Sequence, residues 1–259
     1  MKPDIVMMHG YMNTGRVWSQ WQVFFKKLGY RVHCPSWPYA DGGIADLQKN
    51  PAPQLADLTF DDVVAHYRDF IAALDGKPIL FGHSLGGVVV QKLVETGCAH
   101  MAVCICSGPP KGIAAWNKDF ILSNLQLLNP FSRSPTVWMS ARWYHRYVTN
   151  DLTPAQTAAF RLAATVPAGR KVAATIGRID FAKPHVPLLF IAGASDKSQP
   201  AVISQKTAAA YTDRSSQTDF HVFPLRTHNI LNQHNWQEVA AYIAEWLAQQ
   251  SAGNMAATQ

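Results

Sequence analysis

Short apolar runs alternate with amphipathic stretches along most of this chain. Asp4-Ile-Val-Met-Met8 is a short apolar run that ends at His9-Gly10, a pattern that predicts a buried parallel strand. Val17, Trp18, Trp21, Phe24, Phe25 and Leu28 recur at helical spacing, and Gly29 follows where a helix would stop. Tyr30 to Cys34 reads as a second strand, closed by Pro35. Pro, Gly and Asp are frequent from Ser36 to Leu58, which is expected to be a long surface loop. Thr59 with Asp62 three residues on predicts a helix start, an acidic variant of the capping box. Phe60, Val63, Val64, Tyr67, Phe70, Ile71 and Leu74 supply that helix with one apolar face.

The alternation continues with a strand over Pro78–His83, a helix over Leu85–Thr96 and a strand over Met101–Cys106. A second block reads strand Val186–Ala192, helix Ala201–Tyr211, strand Phe220–Phe223 and closing helix Trp236–Ala248. Strands separated by helical patterns of this length imply βαβ units. The expected fold class is α/β: an open, mostly parallel, twisted sheet with helices on both faces. Residues 109–184 break the rhythm. They hold Trp116, Phe120, Phe131, Trp138, Trp143, Tyr144, Tyr147 and Phe160 without strand alternation, and read as a helical insertion. The expected organisation is a core of residues 1–108 and 185–250, a helical cap or lid over 109–184, and a flexible tail over 251–259.

Composition narrows the classes further. Hydrophobic residues make up 48% and charged residues 15% of 259, which excludes an intrinsically disordered chain. No apolar run approaches the roughly 20 residues of a membrane helix. Met1-Lys2-Pro3-Asp4 leads straight into the first strand without the apolar stretch of a signal peptide, so a cytoplasmic protein is expected. Cys34, Cys98, Cys104 and Cys106 form no Cys-x-x-Cys pair and no zinc-spaced cluster, and neither metal nor cofactor is expected. The net charge of +6 is uneven: residues 109–184 carry +7 and the remainder −1. No basic run or helix-turn-helix pattern accompanies that excess, so nucleic acid is not an expected partner.

The strongest chemical signal is Gly82-His83-Ser84-Leu85-Gly86, followed by Gly87. It fits Gly-x-Ser-x-Gly with an apolar strand before it and a helix after it, which is the context that gives the motif meaning. Such a turn lifts the serine hydroxyl above the sheet edge, and Ser84 is the candidate nucleophile. A hydroxyl needs a base. Asp196 follows the strand after the insertion, in Gly193-Ala194-Ser195-Asp196, and His228 follows the next strand. Both are therefore expected on the same edge of the sheet as Ser84, in the chain order Ser, Asp, His. Of ten histidines, His228 alone has that order and a loop position; Asp180, Asp213 and Asp219 lack the strand-to-turn context of Asp196. A developing oxyanion also needs donors. The backbone N–H of Leu85, after the nucleophile, and that of Tyr11, after the first strand, are the candidates. The Tyr11 side chain either lines a pocket or packs.

Together, His9-Gly10-Tyr11, Gly82-His83-Ser84-Leu85-Gly86-Gly87, Gly193-Ala194-Ser195-Asp196 and His228 resemble the α/β-hydrolase superfamily, most closely its small bacterial esterase- and lipase-like members with a helical cap. The resemblance covers nearly the whole chain. It implies an eight-stranded sheet, of which this chain begins at the third strand. One departure is Thr227 before the histidine, where the family often has Gly. The resemblance implies cleavage of carboxylic esters through an acyl-enzyme on a Ser-His-Asp triad. Carbon–carbon bond hydrolysis, perhydrolysis or acyl transfer on the same triad remain open, as does a non-enzymatic ligand receptor. Asn229 stands where plant hydroxynitrile lyases carry Lys, and Ser84 where dehalogenases and epoxide hydrolases carry Asp. Trp138, Trp143 and Tyr144 are candidate pocket walls, with cap packing as the alternative. The expected substrate is a small apolar ester. The basic insertion, if it overhangs the site, would favour an anionic one.

Overall fold

A computed structural model describes residues 2–125 and 134–256. Phe131 and Arg133, counted above among the aromatic and basic residues of the insertion, lie outside the described residues, as does the end of the expected tail, 257–259. The chain opens with β1 (Ile5–Met8), a 3-10 turn (Gly15–Trp18), α1 (Ser19–Lys27), β2 (Val32–His33) and α2 (Ile44–Lys49). A second 3-10 turn (Pro53–Ala56), α3 (Phe60–Ala72), β3 (Ile79–His83), α4 (Leu85–Glu95) and β4 (Met101–Ile105) follow. Between β4 and β7 lie α5 (Lys118–Asn124), β5 (Thr136–Val137), α6 (Ala141–Tyr147), α7 (Pro154–Ala164), β6 (Ala168–Gly169) and α8 (Arg170–Ala174). β7 (Leu188–Gly193), α9 (Ala201–Ala210), β8 (Thr218–Phe223) and α10 (Trp236–Ala256) complete the order.

The main sheet has six strands in the order β2-β1-β3-β4-β7-β8, every neighbouring pair parallel. Parallel strands are buried on both faces, which is why they read as unbroken apolar runs. Period-two alternation still divides their side chains between two clusters. Val6, Met8, Leu80, Ala102, Cys104, Leu188 and Phe190 face α3, α4 and the β4–β7 segment. Ile5, Met7, Ile79, Phe81, Met101, Val103, Ile105, Leu189 and Ile191 face α1 and α10. The chain runs from β1 out to β2 and then returns past β1 to β3. The strand order therefore reverses at the β1/β3 pair, and a crevice opens beyond the carboxyl ends of those strands. Gly10 and Ser84 stand at its two sides.

Three stretches differ from the sequence reading. The 36–58 loop contains α2 and a 3-10 turn, and buries Trp37, Leu55 and Leu58. Its partners are distant: Gln48 Nε2 donates to the carbonyls of Leu162 (2.8 Å) and Thr165 (2.8 Å). The β4–β7 segment, expected to be mostly helical, holds the helices α5 to α8 over fewer than half of its described residues, and also the antiparallel ribbon β5–β6, two residues to a strand and too short to show a period. The tail expected to be flexible from 251 is helix α10 as far as Ala256. The Thr59 capping box is present, with Asp62 accepting from the Thr59 N–H at 2.9 Å. No described helix is long and apolar enough to cross a membrane.

Candidate active site

Ser84 sits between β3 and α4 with φ 57° and ψ −123°. A non-glycine residue in that region carries roughly 1–3 kcal/mol of strain, held only where the surroundings over-determine the backbone. Here they do. The Ser84 N–H donates to the Ile105 carbonyl at 3.0 Å, and the Ser84 carbonyl accepts from Gly87 N–H (3.0 Å) and Gly108 N–H (3.2 Å). The tight crossing of strand and helix explains the flanking glycine, because a Cβ on Gly82 would overlap the Gly86 carbonyl. Gly10 is required from the other side: a Cβ there would lie 2.8 Å from the Ser84 Cβ.

His228 Nε2 lies 3.0 Å from Ser84 Oγ, and His228 Nδ1 lies 2.8 Å from Asp196 Oδ2. The Asp196 carboxylate only accepts, so Nδ1 carries the proton and the Nε2 lone pair is left for the serine hydroxyl. The other oxygen, Asp196 Oδ1, accepts from the backbone N–H groups of Ser198 (2.8 Å) and Gln199 (2.7 Å), which fixes the carboxylate in its turn. All three side chains are buried. The sequence-derived trio is thus brought together in one hydrogen-bonded relay. The rival acids are occupied elsewhere: Asp213 accepts from Ser215 and Ser216, and Asp219 from Trp246. Among the described residues, one group of three side chains has metal-ligating atoms within 4.8 Å of one another: Cys106, Asp196 and His228. Two of those three are already engaged in the relay. Burial, and next the charge of Asp196, hold the Cys106 thiol well above its usual range, so it stays protonated beneath the carboxylate.

The N–H groups of Tyr11 and Leu85 donate no hydrogen bond among the described residues, and both residues border the cavity over Ser84. The Tyr11 side chain both packs and lines: its hydroxyl donates to the Gly169 carbonyl at 2.8 Å while the residue remains on the cavity wall. Beside it, His9 Nε2 accepts from the Trp37 N–H (3.0 Å) and Nδ1 donates to the Gly10 carbonyl (2.9 Å). Burial depresses the His9 pKa to about 4, in keeping with a neutral ring using both nitrogens. Burial, and then the neighbouring His228, also hold the His83 imidazole well below its ordinary range.

The cavity has a volume of about 180 Å³. Of the three aromatic residues named as candidate pocket walls, Trp143 and Tyr144 are among the described lining residues and Trp138 is not. The Trp138 indole is held away: its Nε1 donates to Thr165 Oγ1 at 2.8 Å, and the Arg161 guanidinium stacks on its ring at 3.5 Å. Phe120, Phe160, Ile176 and Gln199 are wall residues that the sequence reading did not assign to a pocket. Phe120 and Phe160 stood out only as aromatic residues of the insertion; nothing in the local sequence distinguishes Gln199 beyond its nearness to Asp196. No Lys, Arg, Asp or Glu occurs among the described lining residues. The described basic residues of the 109–184 segment lie outside the cavity lining, exposed as at Arg142 and Arg146.

Comparison with known proteins bears on the family and the fold. A model of the Alpha/beta hydrolase family matches residues 5–242. A pyrethroid hydrolase of Sphingobium wenxiniae is 30% identical over 95 residues, a stretch covering 36% of this chain and 30% of that protein. Among solved structures, a variant of tomato methylketone synthase I complexed with beta-ketoheptanoate superposes with a TM-score of 0.72 at 16% identity, over 96% of this chain and 99% of that one. A methylesterase from Arabidopsis gives a TM-score of 0.69 at 14% identity, over 95% and 99%. Identities this low speak to the shared fold.

Proposed function

The chain belongs to the alpha/beta hydrolase family, and from that premise we propose that it cleaves carboxylic esters through an acyl-enzyme formed on Ser84. The observation that carries the proposal is His228 standing between Ser84 Oγ and Asp196 at 3.0 and 2.8 Å. Ser84 Oγ attacks the ester carbonyl carbon while its proton passes to His228 Nε2. The imidazolium is stabilised by Asp196, which also keeps the ring in the tautomer that the first step needs. Negative charge on the carbonyl oxygen meets the N–H groups of Tyr11 and Leu85 and the N-terminus of α4. Collapse of the tetrahedral intermediate breaks the bond to the alcohol, which leaves with the proton from His228. Water then attacks the acyl-enzyme with His228 again as base, and the acid is released.

We read the β4–β7 segment as a cap that roofs the site, because Phe120, Trp143, Tyr144, Phe160 and Ile176 all border the cavity from it. The uncharged wall favours an uncharged acyl or alcohol group. Hydrolysis of p-nitrophenyl esters of increasing chain length tests the reaction, and mass-spectrometric mapping of an organophosphonate adduct tests the nucleophile. The expected results are turnover of short-chain esters and one adduct, on the peptide holding Ser84. Ser84→Ala is expected to lose both, with kcat lower by about 10⁴–10⁶. A wild-type protein that neither turns over esters nor takes up phosphonate, or a Ser84→Ala protein with a tenth of the activity, removes the proposal.

A further inference from the structure

Thr227 stands directly before His228, and its hydroxyl is buried and doubly used. Thr227 Oγ1 donates to Asp151 Oδ1 at 2.9 Å and accepts from the Asn229 N–H at 3.2 Å. Asp151 belongs to the turn between α6 and α7. That turn makes two more bonds to the same region. The Val148 carbonyl accepts from the Asn229 N–H at 3.1 Å, and Asn150 Nδ2 donates to the Ser195 carbonyl at 3.2 Å. One turn of the β4–β7 segment is therefore bonded on both sides of His228, through Thr227 and Asn229, and to the residue before Asp196.

The turn is stiff enough to act as a brace. Val148 N–H (2.8 Å) and Thr149 N–H (2.9 Å) both donate to the Tyr144 carbonyl. The Thr149 and Thr157 hydroxyls, both fully buried, lie 2.9 Å apart and tie the turn to α7. A capping box on Thr153 closes the start of α7. On the other side, the two loops also meet each other directly: the Ser195 N–H donates to the Arg226 carbonyl at 2.9 Å, and His228 Nδ1 lies 2.8 Å from Asp196 Oδ2. Val148 also borders the cavity, so the brace is continuous with the substrate wall.

We propose that the α6–α7 turn clamps the loops bearing Asp196 and His228 into register, with Thr227 and Asp151 as positioning residues. The kinetic part rests on the ester-hydrolase reading; the mechanical part does not. A relay of this kind tolerates displacements of about 0.5 Å, and a misplacement of about 1 Å can cost about 10²-fold. Thr227→Val keeps the shape and removes the hydroxyl. Its kcat is expected to fall about 10- to 100-fold with KM within about threefold, since the wall is unchanged. Thr227→Ser restores the donor and keeps kcat within about threefold of wild type. Asp151→Ala is expected to lower kcat in the same direction and by no more than Thr227→Val, which also removes an acceptor of the Asn229 N–H, and the double variant to fall no further than Thr227→Val, because the Thr227–Asp151 bond is already absent there.

Hydrogen–deuterium exchange of peptides covering residues 195–199 and 225–231 gives a readout independent of turnover. Both are expected to exchange faster in Thr227→Val and Asp151→Ala and to be restored in Thr227→Ser. Unchanged kcat and exchange in Thr227→Val overturn the clamp. So do losses that multiply in the double variant, or a Thr227→Ser protein as impaired as Thr227→Val. If the wild type hydrolyses no ester and takes up no phosphonate, the hydrolase reading fails, and the exchange comparison alone decides whether Thr227 holds the loops.

Discussion

At the scale of single residues, the candidate site depends on how closely backbone approaches backbone around Ser84. Gly10 shows this best, because its absent side chain is what lets the loop after β1 pass against the nucleophile. A methyl group there would meet the Ser84 Cβ at 2.8 Å and the His83 carbonyl at 3.1 Å. Neither neighbour is the free end of a flexible chain, so Gly10→Ala must move the loop and with it the Tyr11 N–H. Loss of one oxyanion donor costs about 10²–10³ in kcat. Gly10→Ala is expected to lower kcat by at least about 10² while the protein remains folded, measured by steady-state kinetics beside a thermal melt. Full activity would remove Tyr11 as a donor. Ser84, Asp196 and His228 were legible because each follows a strand of the main sheet, and parallel strands deliver such residues to one edge. The bonds from Ser198 and Gln199 to Asp196 were not legible, since they depend on how the turn after β7 folds back.

Elements show where local pattern is informative and where it is silent. β1, β3, β4 and β7 are continuous apolar runs, and the chain alone identifies them. Residues 36–58 look like loop because their burial comes from far away: Gln48 bonds to the end of α7, and Leu55 packs into the same core cluster as Ala168 of β6. Trp138 is a like case: nothing local separates it from Trp143 as a candidate wall, but its indole turns to Thr165 and Arg161. The described residues that line the cavity from the β4–β7 segment carry no charge, and this bears on the expectation of anionic substrates. Transfer of a carboxylate into a cavity with no cation on its described walls is costly, while distant surface cations are screened by salt. For a matched ester pair differing by a free carboxylate on the acyl chain, the neutral member is expected to have at least about tenfold higher kcat/KM. The preference should persist from about 0.1 M to about 1 M salt, where the Debye length falls from about 10 Å to about 3 Å. A carboxylate preference that salt abolishes would instead assign the basic exterior a part in substrate capture.

At the scale of the molecule, the main six-stranded sheet gathers the candidate site at the edge where strand order reverses, and that arrangement ties folding to pH. His9 lies at this edge, fully buried against Trp37 with ring centroids 4.9 Å apart. Its two bonds need the neutral ring, since a second ring proton would point at the Trp37 N–H that Nε2 now accepts. Burial sets its folded pKa at about 4, below the value of about 6.5 for an unfolded chain. Between those values the unfolded state binds the proton and the folded state does not, so stability rises with pH across that window. The contribution is fully present above about pH 6.5 and is lost as pH falls through about 4. A difference of that size corresponds to about 3 kcal/mol. His83, also held neutral by burial, acts in the same direction. Urea unfolding at pH 7.5 and pH 4.5 is therefore expected to show a clear drop in midpoint at the lower pH, with an unchanged slope. His9→Gln, whose amide offers both a donor and an acceptor, is expected to be less stable at pH 7.5 but to lose less between the two pH values. An equal drop in the variant and the wild type would mean that His9 titrates alike in both states and that the pH dependence arises elsewhere.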